Sequence, residues 1–310
     1  MQPSTLYIRN AGFGDMLQQI NLFFHLSDAY SFAPKIFLDE KRGRNSLSNH
    51  AFLDEIGYTS LVGPRPEVSV EKAGSLSEIS VQVSDAYKFD ANCYHNPELQ
   101  KATVGRHRNF HPRLRELARE GRLYAEICKR KDPTHHITLH ARRGDVTQIM
   151  TSDFPKVFDA ALGAGKILHC RGLFDKETLN DAIPKGNRRR FADAPTHLHA
   201  LNLIKEREGV DGHLLVSDGF TRISKKVVNM HSDVLADKSM TVDALEKELE
   251  QELQPLMDRA DQMIIGEQDA LFFETIFTSL ASKIIISQSP GFLSSLSKLF
   301  ELDIKFVVPK

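Results

Sequence analysis

Tryptophan does not occur in this chain of 310 residues, which disfavours a sugar-binding module built on stacked indoles. Cysteine is nearly as scarce. Cys93, Cys128 and Cys170 stand far apart, in no C-x-x-C spacing and with no evident His partner. That argues against a disulfide framework and a zinc site, and fits a reducing compartment, the cytoplasm. Net charge is close to absent: 40 Lys and Arg face 41 Asp and Glu, for −1 overall. No global field therefore recommends nucleic acid or an anionic membrane as partner, and any anion must be gripped locally. A run of 18 apolar residues is missing, so no segment reads as membrane-spanning. The start, Met1-Gln2-Pro3-Ser4, lacks the basic region, long apolar stretch and small-residue cleavage site of a secretory signal. D-x-D, G-x-S-x-G and G-x-x-x-x-G-K-[ST] are absent too. With them go the main grounds for a dedicated metal site, nucleophilic hydrolysis and the common kinase or ATPase chemistry.

What is present is a hydrophobic fraction of 41%, too much for one ordinary core at this length and suited to two domains of roughly 150 residues each. Leu6-Tyr7-Ile8 predicts a strand, Gly12-Phe13-Gly14-Asp15 a turn, and Met16 to Tyr30 a helix. Further strands are expected at Lys35–Leu38 and Ile79–Val83, a short helix from Phe52 to Ile56, and a charged helix from Leu114 to Lys129. The junction is placed near Lys131-Asp132-Pro133, dividing the chain into 1–132 and 133–310. The second part repeats the pattern, with strands at His136–His140, Lys166–His169, His213–Val216 and Lys283–Ile286. Helices are expected from Val242 to about Leu256 and from Asp269 to Ala281, and a mobile loop from Asp181 to Ala194. Alternating strands and helices imply an α/β protein: two Rossmann-like domains with mainly parallel sheets, facing one another across a ligand cleft.

In such sheets ligands sit beyond the C-terminal ends of the strands, and Arg142 and Arg143 follow the strand that ends at His140. Guanidinium presents a planar fork of donors that matches a phosphate, and it stays charged at every working pH. On an extended chain adjacent residues diverge, so one arginine reaches a ligand and its neighbour braces the fold. By composition alone this segment is either a solvated surface turn or an anion site. Gly12 and Gly14, with Asp15 after them, open the first helix; they either permit a tight turn or leave backbone N–H groups for an anion. The third glycine of a dinucleotide fingerprint is missing, and Asp39 is the nearest acid that could close the second strand. Asp218 either holds a base or ribose hydroxyl or caps a helix. Ser287, Ser289, Ser294 and Ser295 follow the last buried strand, where hydroxyls meet an anion or cap the next helix. His135, His136 and His140, or His197 and His199, supply no complete ligand set, so no metal is expected.

The segment His140-Ala141-Arg142-Arg143-Gly144-Asp145 resembles the H-x-R-R-G-D block of the α-1,2-, α-1,6- and protein O-fucosyltransferases. Three further stretches are similar to motifs of the same group in the same order: Ala11 to Leu17, Val216-Ser217-Asp218, and Ile286 to Ser294. The resemblance implies a GT-B fold, the acceptor domain first and the nucleotide-sugar domain second. It also implies an inverting, metal-independent hexosyltransferase with no cofactor, its co-substrate a nucleotide sugar, usually GDP-fucose, and its partner a glycan acceptor. By that analogy Arg142 grips the diphosphate, Arg143 and His140 support it, Asp218 meets the nucleoside, and Ser289 and Ser294 meet phosphate or base. The carboxylate that some members carry downstream falls near Met150 here. Asp153, the nearest acid, and His25 are the candidate bases, if the displacement needs one.

Overall fold

The computed structural model describes residues 3–9, 12–39, 48–65, 71–73, 86–89, 103–104, 106–130, 136–142, 192–220, 224–225, 229, 241–266, 269–288 and 290–309. The chain divides into two compact units. One comprises Met1–Lys129 with Gly291–Asp303, the other Arg130–Pro290 with Ile304–Lys310. The step at 129 to 130 lies close to the expected junction after 132. Residues 291–303, expected in the second domain, group instead with the first unit.

The first unit is built on a parallel sheet of order β2-β1-β4-β3. Here β1 is Pro3–Arg9, β2 Ala33–Asp39, β3 Glu71–Ala73 and β4 Ala86–Phe89. Pro3 lies opposite Ala33 and Arg9 opposite Asp39. The even-numbered Leu6, Ile8, Ile36 and Leu38 are buried, the alternation that a strand's two-residue period produces. Between β1 and β2 runs α1, Phe13–Tyr30. Met16, Leu17, Ile20, Leu22, Phe23, Phe24 and Leu26 are all within 1% of complete burial. A helix apolar on nearly every side belongs inside a core, and each such side chain contributes roughly 1.5–3 kcal/mol. It stops at Ser31, whose φ of 57° is left-handed.

Asn49–Glu55 forms α2, capped by the Ser48 hydroxyl, which accepts from the Ala51 N–H at 3.1 Å. The single helix expected over Leu114–Lys129 is two, α3 (Pro112–Glu120) and α4 (Arg122–Lys129). Gly121 between them is the cause. A Cβ there would stand 2.6 Å from the Ile56 carbonyl carbon and 2.9 Å from the Glu55 oxygen, so the chain breaks its helix where two backbones touch. The segment 291–303 completes this unit.

The second unit carries a five-stranded parallel sheet of order β7-β6-β5-β8-β9. Its strands are β5 (Ile137–His140), β6 (Leu214–Ser217), β7 (Gln262–Ile265), β8 (Ile284–Ser287) and β9 (Lys305–Val307). β6 and β8 are buried along their whole length, as strands of a two-sided parallel sheet are. Around them lie α5 (Ala194–Glu208), α6 (Val242–Glu250), α7 (Gln254–Met257) and α8 (Asp269–Ala281). The helix expected from Val242 to Leu256 is thus interrupted at Gln251–Leu253, because Pro255 has no N–H for a helix interior and sits in the first turn of α7. Both sheets together make this an α/β protein with parallel strands. The strands expected at Ile79–Val83 and Lys166–His169 lie outside the described residues, as does most of Asp181–Ala194; Ala194 itself opens α5. Among the described residues no helix is long and apolar enough to cross a membrane.

Candidate functional site

The order of the second sheet locates the site. From β5 the chain proceeds outward through β6 to β7, then returns to the other side of β5 to lay down β8 and β9. The strand order therefore reverses between β5 and β8. Connections leaving two neighbouring strands in opposite directions open a crevice at their C-terminal ends, and ligands of doubly wound sheets bind there.

The residues at that point are His140 and Ser287, the last of their strands and directly opposite in register. Register partners on parallel strands share a face, so the ring and hydroxyl meet, with Nδ1 at 3.1 Å from Oγ. Ser287 is completely buried and His140 half-buried. One residue on, the Ala141 N–H donates to the Val216 carbonyl at 2.8 Å, which carries the pairing with β6 past the end of β5. Arg142 follows at once, half-buried beyond the C-terminal end of the central strand. A guanidinium in that position can hold two phosphate oxygens together.

β6 ends beside them in a tight turn. The Ser217 hydroxyl accepts from the Gly219 N–H at 3.2 Å, and the Ser217 carbonyl accepts from the Gly266 N–H at 3.1 Å. Gly219 has a φ of +68°, and a Cβ on it would stand 3.5 Å from the Gly266 Cα. The left-handed φ favours glycine, while the distance is an ordinary contact. Asp218 is half-buried within this turn, where a carboxylate can accept from a nucleoside's hydroxyl or ring N–H. Gly266, which closes the turn from β7, escaped sequence reading; a glycine directly after Met263-Ile264-Ile265 was the available signal.

The remaining candidates of the described chain belong to the first unit. Gly12 is the N-cap of α1 and makes no side-chain cap hydrogen bond, at a helix end whose dipole favours an anion. Gly14 lies beside Phe292, where a Cβ would stand in ordinary contact at 3.8 Å. Phe292 belongs to α9 (Gly291–Leu299). Phe13, Phe52 and Phe292 form a ring cluster, with centroids 4.4, 5.7 and 6.2 Å apart. Asp15 is exposed in the first turn of α1. Ser294 is half-buried in α9. Ser295 is committed internally, donating to the Gly291 carbonyl at 2.8 Å and accepting from Gln18 at 3.3 Å.

His25 is buried. Its Nε2 lies 3.0 Å from the Asn109 carbonyl, an oxygen that can only accept, so that nitrogen carries the proton. The Asn21 amide donates to the same carbonyl at 3.1 Å, and its oxygen accepts from the His111 N–H at 2.8 Å. His25 thus fastens the segment before α3 to α1. Asp39 accepts a hydrogen bond from the Tyr7 hydroxyl. The candidates Arg143, Asp153 and Ser289 lie outside the described residues. Among the described residues no group of three or more His, Cys, Asp or Glu could hold a metal ion. His197 is buried in α5, its Nδ1 3.1 Å from the Asp193 carbonyl.

No protein-family model matches this chain, and no curated protein matches it.

Proposed function

We propose that the chain is an inverting, metal-independent glycosyltransferase of the GT-B kind. It takes a nucleoside-diphosphate sugar, with GDP-fucose the leading donor, transfers the sugar to a glycan acceptor, and works in the cytoplasm. The observation that carries the reading is the gathering of His140, Arg142 and Ser287 where the strand order of the five-stranded sheet reverses. As the sugar departs it becomes oxocarbenium-like, and negative charge grows on the β-phosphate. A preorganised arginine stabilises that charge where it develops. Asp218 is suited to the nucleoside, and the motifs of the H-x-R-R-G-D block run in the order that the fucosyltransferase resemblance requires.

The test is a thermal-shift panel of GDP, UDP, CDP, ADP and NAD. A ligand at a hundred times its dissociation constant stabilises the native state by about 2.7 kcal/mol, which for a chain of this size means a rise of several degrees. GDP is expected to shift the midpoint selectively. A selective UDP response keeps the reaction class and changes the donor. A response to NAD alone sinks the reading.

A second reading is a nucleotide-binding protein of the same fold without transferase activity. It is favoured by Met150, where some members of the resembled family carry an acid, and by the commitment of His25 to the Asn109 carbonyl. Release of nucleoside diphosphate from any nucleotide sugar disposes of it.

A further inference from the structure

Between Glu98 and Glu116 the sequence holds no acid and five basic residues, Lys101, Arg106, Arg108, Arg113 and Arg115. In a chain of net charge −1 this is a local concentration of one sign. The described part of the stretch is fastened to α1. Asn21 and His25 hold the Asn109 carbonyl, the Asn21 oxygen accepts from the His111 N–H, and the Arg113 guanidinium lies 5.9 Å from the centre of the Phe24 ring. Anchored in this way, the stretch leaves its charges in solvent: Arg106 and Arg108, in a single 3-10 turn, and Arg113, at the start of α3, are all exposed. Among the described residues none of these three has a carboxylate partner. The arginines that follow are paired, Arg115 and Arg119 with Glu301, Arg122 with Glu55, and Arg130 with Glu274.

Val104 stands at the head of the same stretch. It is 80% exposed, the most of any large apolar side chain among the described residues. Its φ is +49°, a conformation that β-branched residues rarely adopt. The Arg106 N–H donates to the Thr103 carbonyl at 2.9 Å, which closes a turn with the valine at its tip. Asn or Gly would suit such a turn and keep a polar surface. The chain instead holds an apolar side chain out in water, on an unfavourable backbone, next to cations with no counter-charge.

We propose that this face of the first unit docks reversibly on an anionic membrane surface: Val104 enters the boundary between headgroups and acyl chains, and Arg106, Arg108 and Arg113 bind the lipid phosphates. Anionic leaflets attract basic segments, and a guanidinium matches two phosphate oxygens at once. A soluble polyanion would satisfy the arginines equally and offer the valine nothing, so it is the valine that selects a bilayer. Phe110 is buried and gives no platform on which a nucleic-acid base could stack. The docking goes beyond the reaction proposed above and does not rest on it.

The experiment is co-sedimentation of the full chain with vesicles of equal parts phosphatidylcholine and phosphatidylglycerol, against vesicles of phosphatidylcholine alone, at low salt. The chain is expected to sediment with the first and not with the second, and to be released as salt screens the charges. Arg106→Ser with Arg108→Ser should weaken partitioning about 25-fold, at about fivefold per basic residue, and leave the melting midpoint in place, because neither side chain has a partner to lose. Val104→Asn should weaken it roughly five- to tenfold with a midpoint no lower than wild type, since asparagine tolerates the left-handed conformation. Val104→Leu keeps the apolar tip and should keep the binding. No sedimentation with the anionic vesicles overturns the proposal, as does equal binding to the neutral ones. Equal partitioning of Val104→Asn and wild type overturns the entry of the valine. Single-stranded RNA bound by the wild type and by Val104→Asn, but not by the arginine variant, would assign the surface to a soluble polyanion instead.

Discussion

In the first unit, a polar side chain near the sheet is tied to the protein's own backbone: His25 and Asn21 hold the Asn109 carbonyl, and Ser295 holds that of Gly291. His111 goes further and is engaged at both ring nitrogens. Nδ1 accepts from the Arg113 N–H at 3.3 Å and so caps α3, while Nε2 lies 2.9 Å from the Asp28 carboxylate. In the second unit His197 likewise serves its own backbone, but a further set of polar groups collects at one point. His140, Arg142, Ser287 and the Ser217-Asp218-Gly219 turn all stand at the C-terminal ends of three adjacent strands. His140 is thus placed differently from His25, His111 and His197. Where a histidine closes a backbone's unmet hydrogen bonds it is part of the fold. Where it stands at a reversal of strand order, beside a guanidinium, it is a candidate for ligand chemistry.

The largest effect expected concerns the first unit. Gly121→Ala forces a Cβ against the Ile56 and Glu55 backbone at under 3 Å, and should destabilise by about 3 kcal/mol, read as a lower denaturant midpoint. An unchanged midpoint would show that these backbones can part freely. Next comes Arg142→Ala, which should leave the midpoint in place, weaken GDP binding roughly 10- to 100-fold as a charge-assisted contact is lost, and abolish transfer. Unaltered affinity and turnover would remove the arginine from the site and erase the contrast between the units. The smallest effect sharpens the contrast from the other side. His25→Gln keeps a donor for the Asn109 carbonyl, so it should cost no more than about 1 kcal/mol of stability and leave turnover within a few-fold. A general base contributes 10²–10⁴ in rate, so a loss of that size would make His25 catalytic after all.

Much of this architecture was legible beforehand because it follows from local periodicity. β1, α1, β2, β5, β6, α8 and β8 all lie where apolar spacing indicated. Five of the helices and strands named above were not anticipated: α5 and the strands β3, β4, β7 and β9. For α5 a signal existed, since Asp193 caps the helix, accepting from the Thr196 N–H at 2.9 Å, with Pro195 in its first turn and Gly209 at its end with φ +65°. The strands β7 and β9 offered less. They are short, and Gln262 and Met263 are exposed, so neither alternation nor an unbroken buried run marks them.

By itself the sequence determined the class of the protein, an α/β chain of parallel strands, because buried strands and amphipathic helices write their periods into neighbouring residues. It also singled out Arg142, since a guanidinium after a core strand can be read from chain order. The tertiary structure alone decided which residues share a site. His140 and Ser287 are separated by 147 positions and meet because β8 returns to the flank of β5. His25 and Ser295 leave the list of free polar groups because backbone carbonyls come within their reach. Hydrogen-bond partners are matters of distance in space, and chain order carries no record of them until the strands have been laid side by side.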